Sequence, residues 1–148
     1  MFLMSVVFSS AQCSIDYTFD PSANYGLTPD SLPDGYVGQF YDEDLTFFLP
    51  LDTVDGGLSV TFTDFHLISI SLPLGLTWEC NNSPDCHYDP AETQYGCVRV
   101  SGYPLLSGTF DAEVNIVATH NLSALAGTED ISFIQPFLIL PDNSTSSN

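Results

Sequence analysis

Positive charge is almost absent from this sequence. Its 148 residues contain 19 aspartates and glutamates, no lysine and one arginine, Arg99, which gives a formal net charge of -18 at pH 7. Proteins that bind nucleic acids or anionic lipids use clustered lysine and arginine to neutralise phosphate groups. The composition therefore predicts no nucleic-acid partner and no docking on anionic lipid. Aromatic residues make up 13% of the chain, which a disordered acidic segment would lack, so we expect the chain to fold.

The sequence also has no apolar run long enough to span a bilayer, which takes about 20 residues. The chain opens on a shorter run, MFLMSVVF, followed by small residues. We interpret residues 1–12 as a secretion signal without its basic start, which predicts a secreted or cell-surface protein and no membrane insertion. The alternative is a first core strand. A lipoprotein signal is disfavoured because Gln12, not a small residue, precedes Cys13.

Cysteines are few. The chain has four, Cys13, Cys80, Cys86 and Cys97, and an even set in a secreted chain predicts two disulfides. The last three are separated by five and ten residues, which does not match the close pairs of a structural zinc site. One bridge must include Cys13, tying the N-terminal segment to the loop that holds the other three. Three pairings are open, and Cys80–Cys86 with Cys13–Cys97 is one of them.

Helical periodicity is missing apart from residues 121–128, which can form only a helical turn. Apolar and polar residues alternate instead, most clearly at residues 109–119 (TFDAEVNIVAT), as expected of an antiparallel strand with one buried face. Pro136 falls in another strand candidate and belongs at an edge or a bulge. These patterns predict an all-β fold, a β-sandwich or barrel. The other strand candidates are residues 39–49, 58–63, 68–72 and 130–140.

Three motifs follow one another at domain-like spacing: LPDGYVGQFYDEDLTF from Leu32, LPLGLTWEC from Leu72 and GCVRVSGYPLLSGTFDAEVNIVAT from Gly96. The proline and glycine of LPLGL favour a turn whose leucines fill the core. Together the motifs resemble the immunoglobulin-like (cadherin-like, HePIG-type) domains of bacterial secreted and surface proteins, in the variety associated with Bacteroidetes. The resemblance covers residues 32–140, and Tyr103 replaces the usual threonine of the family.

The resemblance implies an immunoglobulin-like antiparallel β-sandwich of about seven to eight strands. We assign the sandwich to residues 32–141, an N-terminal extended segment to residues 13–31 and a Ser/Asn-rich linker or tail to residues 142–148. We place Trp78 in or beside the core rather than on an exposed ligand platform. His66, Ile68 and Ile70 are alternate residues, so in a strand their side chains point to the same face. This favours a buried, hydrogen-bonded imidazole for His66.

Acidic residues gather in predicted loops and are candidate calcium ligands. Cadherin-like domains bind calcium between domains, so the resemblance implies a possible Ca²⁺ ion at the loops and no other cofactor. Calcium needs six to eight converging oxygens, and none of the runs has EF-hand spacing. The alternative interpretation is a solvated acidic surface. The candidate ligands are Asp52, Asp55, Asp85, Asp89 and Glu92.

The sequence predicts a non-enzyme, because its histidines are scattered and it has no G-x-S-x-G nucleophile motif. By analogy with the family we expect a structural spacer or an adhesion or binding module that contacts other extracellular modules or surface glycans. The alternative is a carbohydrate-binding module, calcium-dependent or not, and a third hypothesis is a small hydrolase with loop carboxylates in a cleft. The sugar-stacking candidates, all placed in loops, are Tyr36, Tyr88, Tyr95 and Tyr103.

Added salt or calcium should raise the melting temperature. The net charge of -18 makes the folded state repel itself, and salt screens this repulsion. Thermal unfolding measured by circular dichroism at increasing NaCl, and separately with CaCl2, tests this expectation. A melting temperature indifferent to both would show that the acids are dispersed and would remove the argument for an ion site.

Overall fold

The computed structural model describes residues 13–19, 26–82 and 85–142. This part of the chain contains ten strands and one helical turn, α1 (Ser123–Ala126), within the stretch where the sequence allowed one. Residues 1–12 and nearly all of the predicted tail lie outside the described residues. The strands are β1 (Leu27–Thr28), β2 (Gly35–Tyr36), β3 (Tyr41–Phe48), β4 (Asp52–Asp55), β5 (Leu58–Ile70), β6 (Leu76–Cys80), β7 (His87–Tyr88), β8 (Tyr95–Gly102), β9 (Gly108–His120) and β10 (Glu129–Leu140).

The strands form two sheets. The four-stranded sheet has the order β1-β3-β8-β6, and the six-stranded sheet has the order β2-β10-β9-β5-β4 with β7 paired to β5. The order of the first sheet is that of strands A, B, E and D of an immunoglobulin fold, and β10-β9-β5 corresponds to G, F and C. All pairs are antiparallel except β2 with β10. The chain is thus an all-β, immunoglobulin-like sandwich, as predicted. Its described residues form ten strands rather than the expected seven to eight, because β1, β2 and β7 are additional pairings of only two residues each.

Strands β9 and β10 follow the predicted alternation. Ala112, Val114, Ile116 and Ala118 of β9 are buried between the sheets, and their neighbours along the strand are exposed or half-buried. Pro136 lies on β10, and its carbonyl accepts a hydrogen bond from the Leu32 amide (3.3 Å), on the side away from β9. Its missing N–H therefore costs no bond of the β9–β10 ladder. The predicted edge or bulge is found only locally, because β10 lies between β2 and β9 and β2 pairs with it at Ile139 and Leu140.

Strand β5 departs from simple alternation. Register shifts between Phe62 and Asp64 and between Leu67 and Ser69 change which face the side chains take. His66 is half-buried on the outer side, where its ring stacks on His87 with centroids 3.8 Å apart. The prediction of a buried His66 on the face of Ile70 was therefore wrong, because a bulge breaks the period of two that the prediction assumed. Of the three residues His66, Ile68 and Ile70, only Ile70 faces the core.

The N-terminal strap, residues 13–19, crosses the outer face of the four-stranded sheet. A disulfide joins Cys13 to Cys97, with Cα atoms 5.9 Å apart. The Asp16 amide donates to Thr46 Oγ1 (2.8 Å) and the Ser14 amide donates to Asp44 Oδ2 (3.0 Å). The side chains of Cys97 and Thr46 point to the outer face of the sheet, yet they are only 0% and 2% exposed. The strap, which is bonded to both residues, covers them. Because β1 also pairs with β3, the sandwich begins before residue 32, the boundary that the sequence suggested.

The crossing segment, residues 81–94, connects the two sheets. It leaves the four-stranded sheet after β6, pairs with β5 of the other sheet through β7 and returns to the first sheet at β8. A second disulfide, Cys80–Cys86, closes its first turn. The Leu67 amide donates to the Cys86 carbonyl (3.0 Å), which fixes the crossing on β5. The Cys80–Cys86 disulfide attaches the crossing segment to the four-stranded sheet, and the pairing of β7 with β5 attaches it to the six-stranded sheet.

Tyr88 of β7 is the core residue that the crossing segment supplies. It is 3% exposed, and its ring meets Phe47 edge to face at 5.1 Å. Its hydroxyl donates to Asn81 Oδ1 (2.6 Å), and the Cys97 amide donates to the same oxygen (3.1 Å). Burial raises the pKa of Tyr88 to about 12, so this hydroxyl remains a donor at neutral pH.

Loss of the Cys13–Cys97 bridge should destabilise the fold more than loss of Cys80–Cys86. The bridges span 84 and 6 residues, and chain entropy gives stabilisations of about 4.5 and about 2 kcal/mol for loops of these lengths. Urea denaturation of Cys13→Ala/Cys97→Ala and Cys80→Ala/Cys86→Ala measures the difference in the free energy of unfolding. A larger loss from the shorter loop would show that packing of the crossing segment, not loop closure, sets the stability.

Candidate functional site

Five large apolar side chains are exposed together at one end of the sandwich, where β3 begins, β5 and β8 end and β6 and β9 begin. Each is between 56% and 63% exposed. They come from three connections, residues 37–40, 71–75 and 103–107, whose backbones are hydrogen-bonded to one another. We call this surface the apolar tip, and its residues are Phe40, Leu74, Tyr103, Leu105 and Leu106.

Backbone hydrogen bonds hold these connections together. The Tyr103 amide donates to the Gly75 carbonyl (3.1 Å), and the Leu105 amide donates to the Leu74 carbonyl (3.0 Å). The Gly38 amide donates to the Pro104 carbonyl (2.9 Å), and Pro104 is fully buried beneath the tip. With its backbone groups paired internally, the tip presents apolar side chains on a fixed support.

Two aromatic rings of the tip lie against each other. The centroids of Phe40 and Tyr103 are 5.4 Å apart and the rings are tilted by 53°. Both side chains are 56% exposed. The pair therefore offers a partly exposed aromatic surface to a ligand.

Gly75 allows the close approach between two of these connections. Its φ of +101° lies in a region that side-chain-bearing residues rarely adopt, and an added Cβ would collide with the Tyr103 carbonyl oxygen. The same turn directs Leu74 outward while Leu76 enters the core and Leu72 packs partly against it. The expectation that all three leucines fill the core was wrong for Leu74.

Carboxylates flank the tip. Asp42, two residues after Phe40, binds Arg99 through Nε–Oδ1 (2.6 Å) and Nη2–Oδ2 (2.9 Å) contacts, and this hydrogen bond raises the pKa of the guanidinium. Burial raises the pKa of Glu43, and the neighbouring charges of Asp42 and Asp44 raise it further. The one arginine of a sequence without lysine is thus already bound to a carboxylate, and the surroundings of the tip are acidic.

The predicted sugar-stacking tyrosines are not brought together. Tyr88 is in the core, so its assignment as an exposed loop residue was wrong; the pairing of β7 with β5 buries it. Tyr36 lies half-buried in β2, and Tyr95 is half-buried in β8 between Phe48 and the strap residue Tyr17. Tyr103 is the member of the set that belongs to the apolar tip. Trp78 is half-buried against the core, as expected.

The candidate calcium ligands lie in two separate parts of the chain. Asp52, on β4, accepts a hydrogen bond from Thr61 Oγ1 (2.8 Å). Asp89 accepts one from the Ala91 amide (2.9 Å) and so shapes its own turn, while Asp85 and Glu92 are exposed. The side chain of Asp55 is not among the described parts. Within those parts, no three histidine, cysteine, aspartate or glutamate side chains are grouped to hold a metal ion.

Comparison with known proteins finds solved structures of low similarity. No protein-family model matches the chain, and no curated protein matches it. The ASH / PapD-like domain of human CEP192 (PapD-like domain 7) is similar with a TM-score of 0.45 and 12% identity, over 91% of this chain and 98% of that domain. A family 123 glycoside hydrolase from Clostridium perfringens is similar with a TM-score of 0.32 and 12% identity, over 73% of this chain and 22% of the enzyme. At these scores the assignment of the fold depends on the sheet order described above.

The helical turn α1 of the described ranges is not long and apolar enough to cross a membrane.

Gly75→Ala should lower the stability more than Gly57→Ala. Both glycines have a positive φ, +101° and +83°, but an added Cβ at Gly57 meets nothing within 4 Å. The shared backbone cost is about 1 to 2 kcal/mol, and the collision with the Tyr103 carbonyl adds to it only at Gly75. Urea denaturation of the two variants measures the difference. Equal losses would mean that the two connections are not in close contact.

Proposed function

We propose that this chain is a non-catalytic, secreted or cell-surface module that binds another extracellular protein through the apolar tip. The observation that carries the proposal is the group of five large apolar side chains, each more than half exposed, on loops that are bonded to one another. A contiguous apolar patch on a monomer commonly marks a binding surface. Rigid loops at the end of a sandwich are also where immunoglobulin-like domains place their binding residues.

The charge of the module defines the chemistry of the partner. Carboxylates flank the tip, and Arg99 is bound to Asp42. A partner with an acidic rim would be repelled, whereas a basic rim around an apolar centre would be attracted over a long range. The same repulsion disfavours a second copy of this chain, which would also carry a charge of -18. We therefore propose a basic extracellular protein as the partner.

The proposed location is supported by the cysteines and by the start of the sequence. All four cysteines are paired, and disulfides persist in oxidising compartments outside the cytosol. The apolar run in residues 1–12 has the composition of a secretion signal. Membership of the HePIG-type bacterial family is consistent with both features and stays a prediction.

Glycan binding is the second candidate, and the Phe40–Tyr103 ring pair favours it. Exposed aromatic rings can stack on the apolar face of a sugar, and these two lie together at 5.4 Å. A glycan array with and without calcium tests this candidate. Saccharide binding that disappears in Phe40→Ala/Tyr103→Ala would establish glycan binding as the function of the tip in place of protein binding. The absence of any saccharide binding would eliminate this candidate.

The protein-binding proposal is tested with peptides selected from a phage-displayed random library on the intact protein. Peptides that bind should have apolar residues flanked by lysine or arginine, and their affinity should fall with added salt. Leu105→Ser/Leu106→Ser should weaken them at least tenfold, because each buried leucine contributes about 1.5 to 3 kcal/mol. Biolayer interferometry measures both effects.

Val54→Ser/Leu58→Ser is the matched control. It also removes two exposed apolar side chains, 71% and 62% exposed, but from the β4–β5 hairpin at the other end of β5. It should leave the affinity of the selected peptides unchanged. Peptides that bind both variants as well as the unmodified protein would overturn the proposal, as would selected peptides without basic residues.

A further inference from the structure

A second apolar surface lies between the two sheets at the end opposite the tip. It is a groove of about 360 Å³, located where β3 ends and β5 begins. The four-stranded sheet provides Phe47 and Phe48, and residues 49–50 complete that side. The six-stranded sheet provides the opposite wall. The residues of the opposite wall are Phe62, Phe65, Ile116, Ile131 and Phe133.

The groove reaches down to the core, because half of its lining residues are at most 8% exposed; these are Phe47, Leu49, Phe62, Phe65 and Ile116. Behind it, a void of about 10 Å³ lies among core residues, too small to extend the groove inward. A closed apolar cavity of about 150 Å³ binds a benzene ring, so the groove is large enough for a larger apolar group. The residues that line it are glycine, proline, leucine, isoleucine and phenylalanine, which favours an apolar ligand body and offers no side-chain hydrogen bond.

Charge at the rim selects among apolar ligands. Glu129 is two residues before Ile131 on β10 and shares the face of Ile131 and Phe133, because the register with β9 is regular here. It is half-buried, whereas Asp130 points to the opposite face and is exposed. The sequence has no lysine, and Arg99 is engaged with Asp42. A fatty acid or other anionic amphiphile would therefore meet a carboxylate and neither a lysine nor a free arginine charge.

We propose that the groove binds a cationic amphiphile, whose apolar body lies between the sheets and whose positive end pairs with Glu129. The ligand class follows from two independent observations, the apolar side chains that line the groove and the carboxylate on the same face of β10. The groove and the apolar tip share no residue, so this site does not depend on the function proposed for the tip.

Three probes with the same alkyl chain test the proposal on the intact protein: decyltrimethylammonium, decanoate and decyl maltoside, each below its micelle-forming concentration. Titration calorimetry should give the tightest binding for the ammonium, weaker binding for the maltoside and the weakest for decanoate. Methyl NMR signals of Ile116 and Ile131 should shift on binding. Decanoate binding as tightly as the ammonium, or shifts confined to other residues, would overturn the proposal.

A pair of variants on β10 distinguishes binding in the groove from general attraction to an acidic protein. Glu129→Gln should weaken the ammonium about two- to fivefold, the range for an exposed ion pair, and leave the maltoside unchanged. Asp130→Asn removes the same charge from the opposite face and should have no effect on either probe. Equal effects of the two substitutions would assign the binding to net charge and overturn the site.

Ile131→Trp should fill the groove and reduce binding of both the ammonium and the maltoside at least tenfold. Ile134→Trp is its control, because Ile134 is 54% exposed and points away from the groove. Thermal unfolding checks that both variants fold. If Ile131→Trp does not fold, the Glu129→Gln and Asp130→Asn comparison decides the proposal alone. Unchanged binding in a folded Ile131→Trp variant would overturn it.

Discussion

The crossing segment holds the two sheets in a fixed relation, and both candidate surfaces depend on that relation. Tyr88 enters the core from β7 against Phe47, and Asn81 Oδ1 accepts hydrogen bonds from the Tyr88 hydroxyl and the Cys97 amide. Cys97 in turn is bonded to Cys13 of the strap. A single asparagine oxygen thus connects strap, four-stranded sheet and crossing segment. A partly buried network of this kind specifies one arrangement only if its members are paired, as these are.

Much of the fold could be predicted because strand periodicity is a local property of the sequence. The alternation in β9 depends on neighbouring residues and was confirmed. The failures involve information that is not local. The bulges of β5 reverse the face of His66 only once β9 and β7 are paired to it. Tyr88 looked like a loop residue because it lies between a disulfide and a proline, and only the pairing with β5 buries it. The disulfide pairing had three alternatives in the sequence, which the folded distances reduce to one.

The apolar tip could not be predicted for a related reason. Phe40, Leu74 and Tyr103 are about thirty residues apart in sequence, and an apolar residue in an all-β sequence is normally assigned to the core. One local signal was present: Leu105 and Leu106 are consecutive leucines in a stretch bounded by Pro104 and Gly108, and consecutive residues of an extended chain cannot both face inward. In contrast, the acidic clusters were candidate calcium ligands. Because acidic residues are so frequent in this sequence, their proximity along the chain says little about whether their side chains converge in space.

The excess of negative charge and the two apolar surfaces belong to one physical solution. Exposed apolar patches at both ends of a small module would favour association of identical copies. A charge of -18 on each copy opposes such contacts, so the patches can remain exposed without self-association. The same charge then restricts what can cover them. Any ligand or protein that buries the tip or fills the groove must match its apolar surface and must also avoid adding negative charge. Resistance to self-association and the proposed preference for cationic partners therefore rest on the same excess of acidic residues.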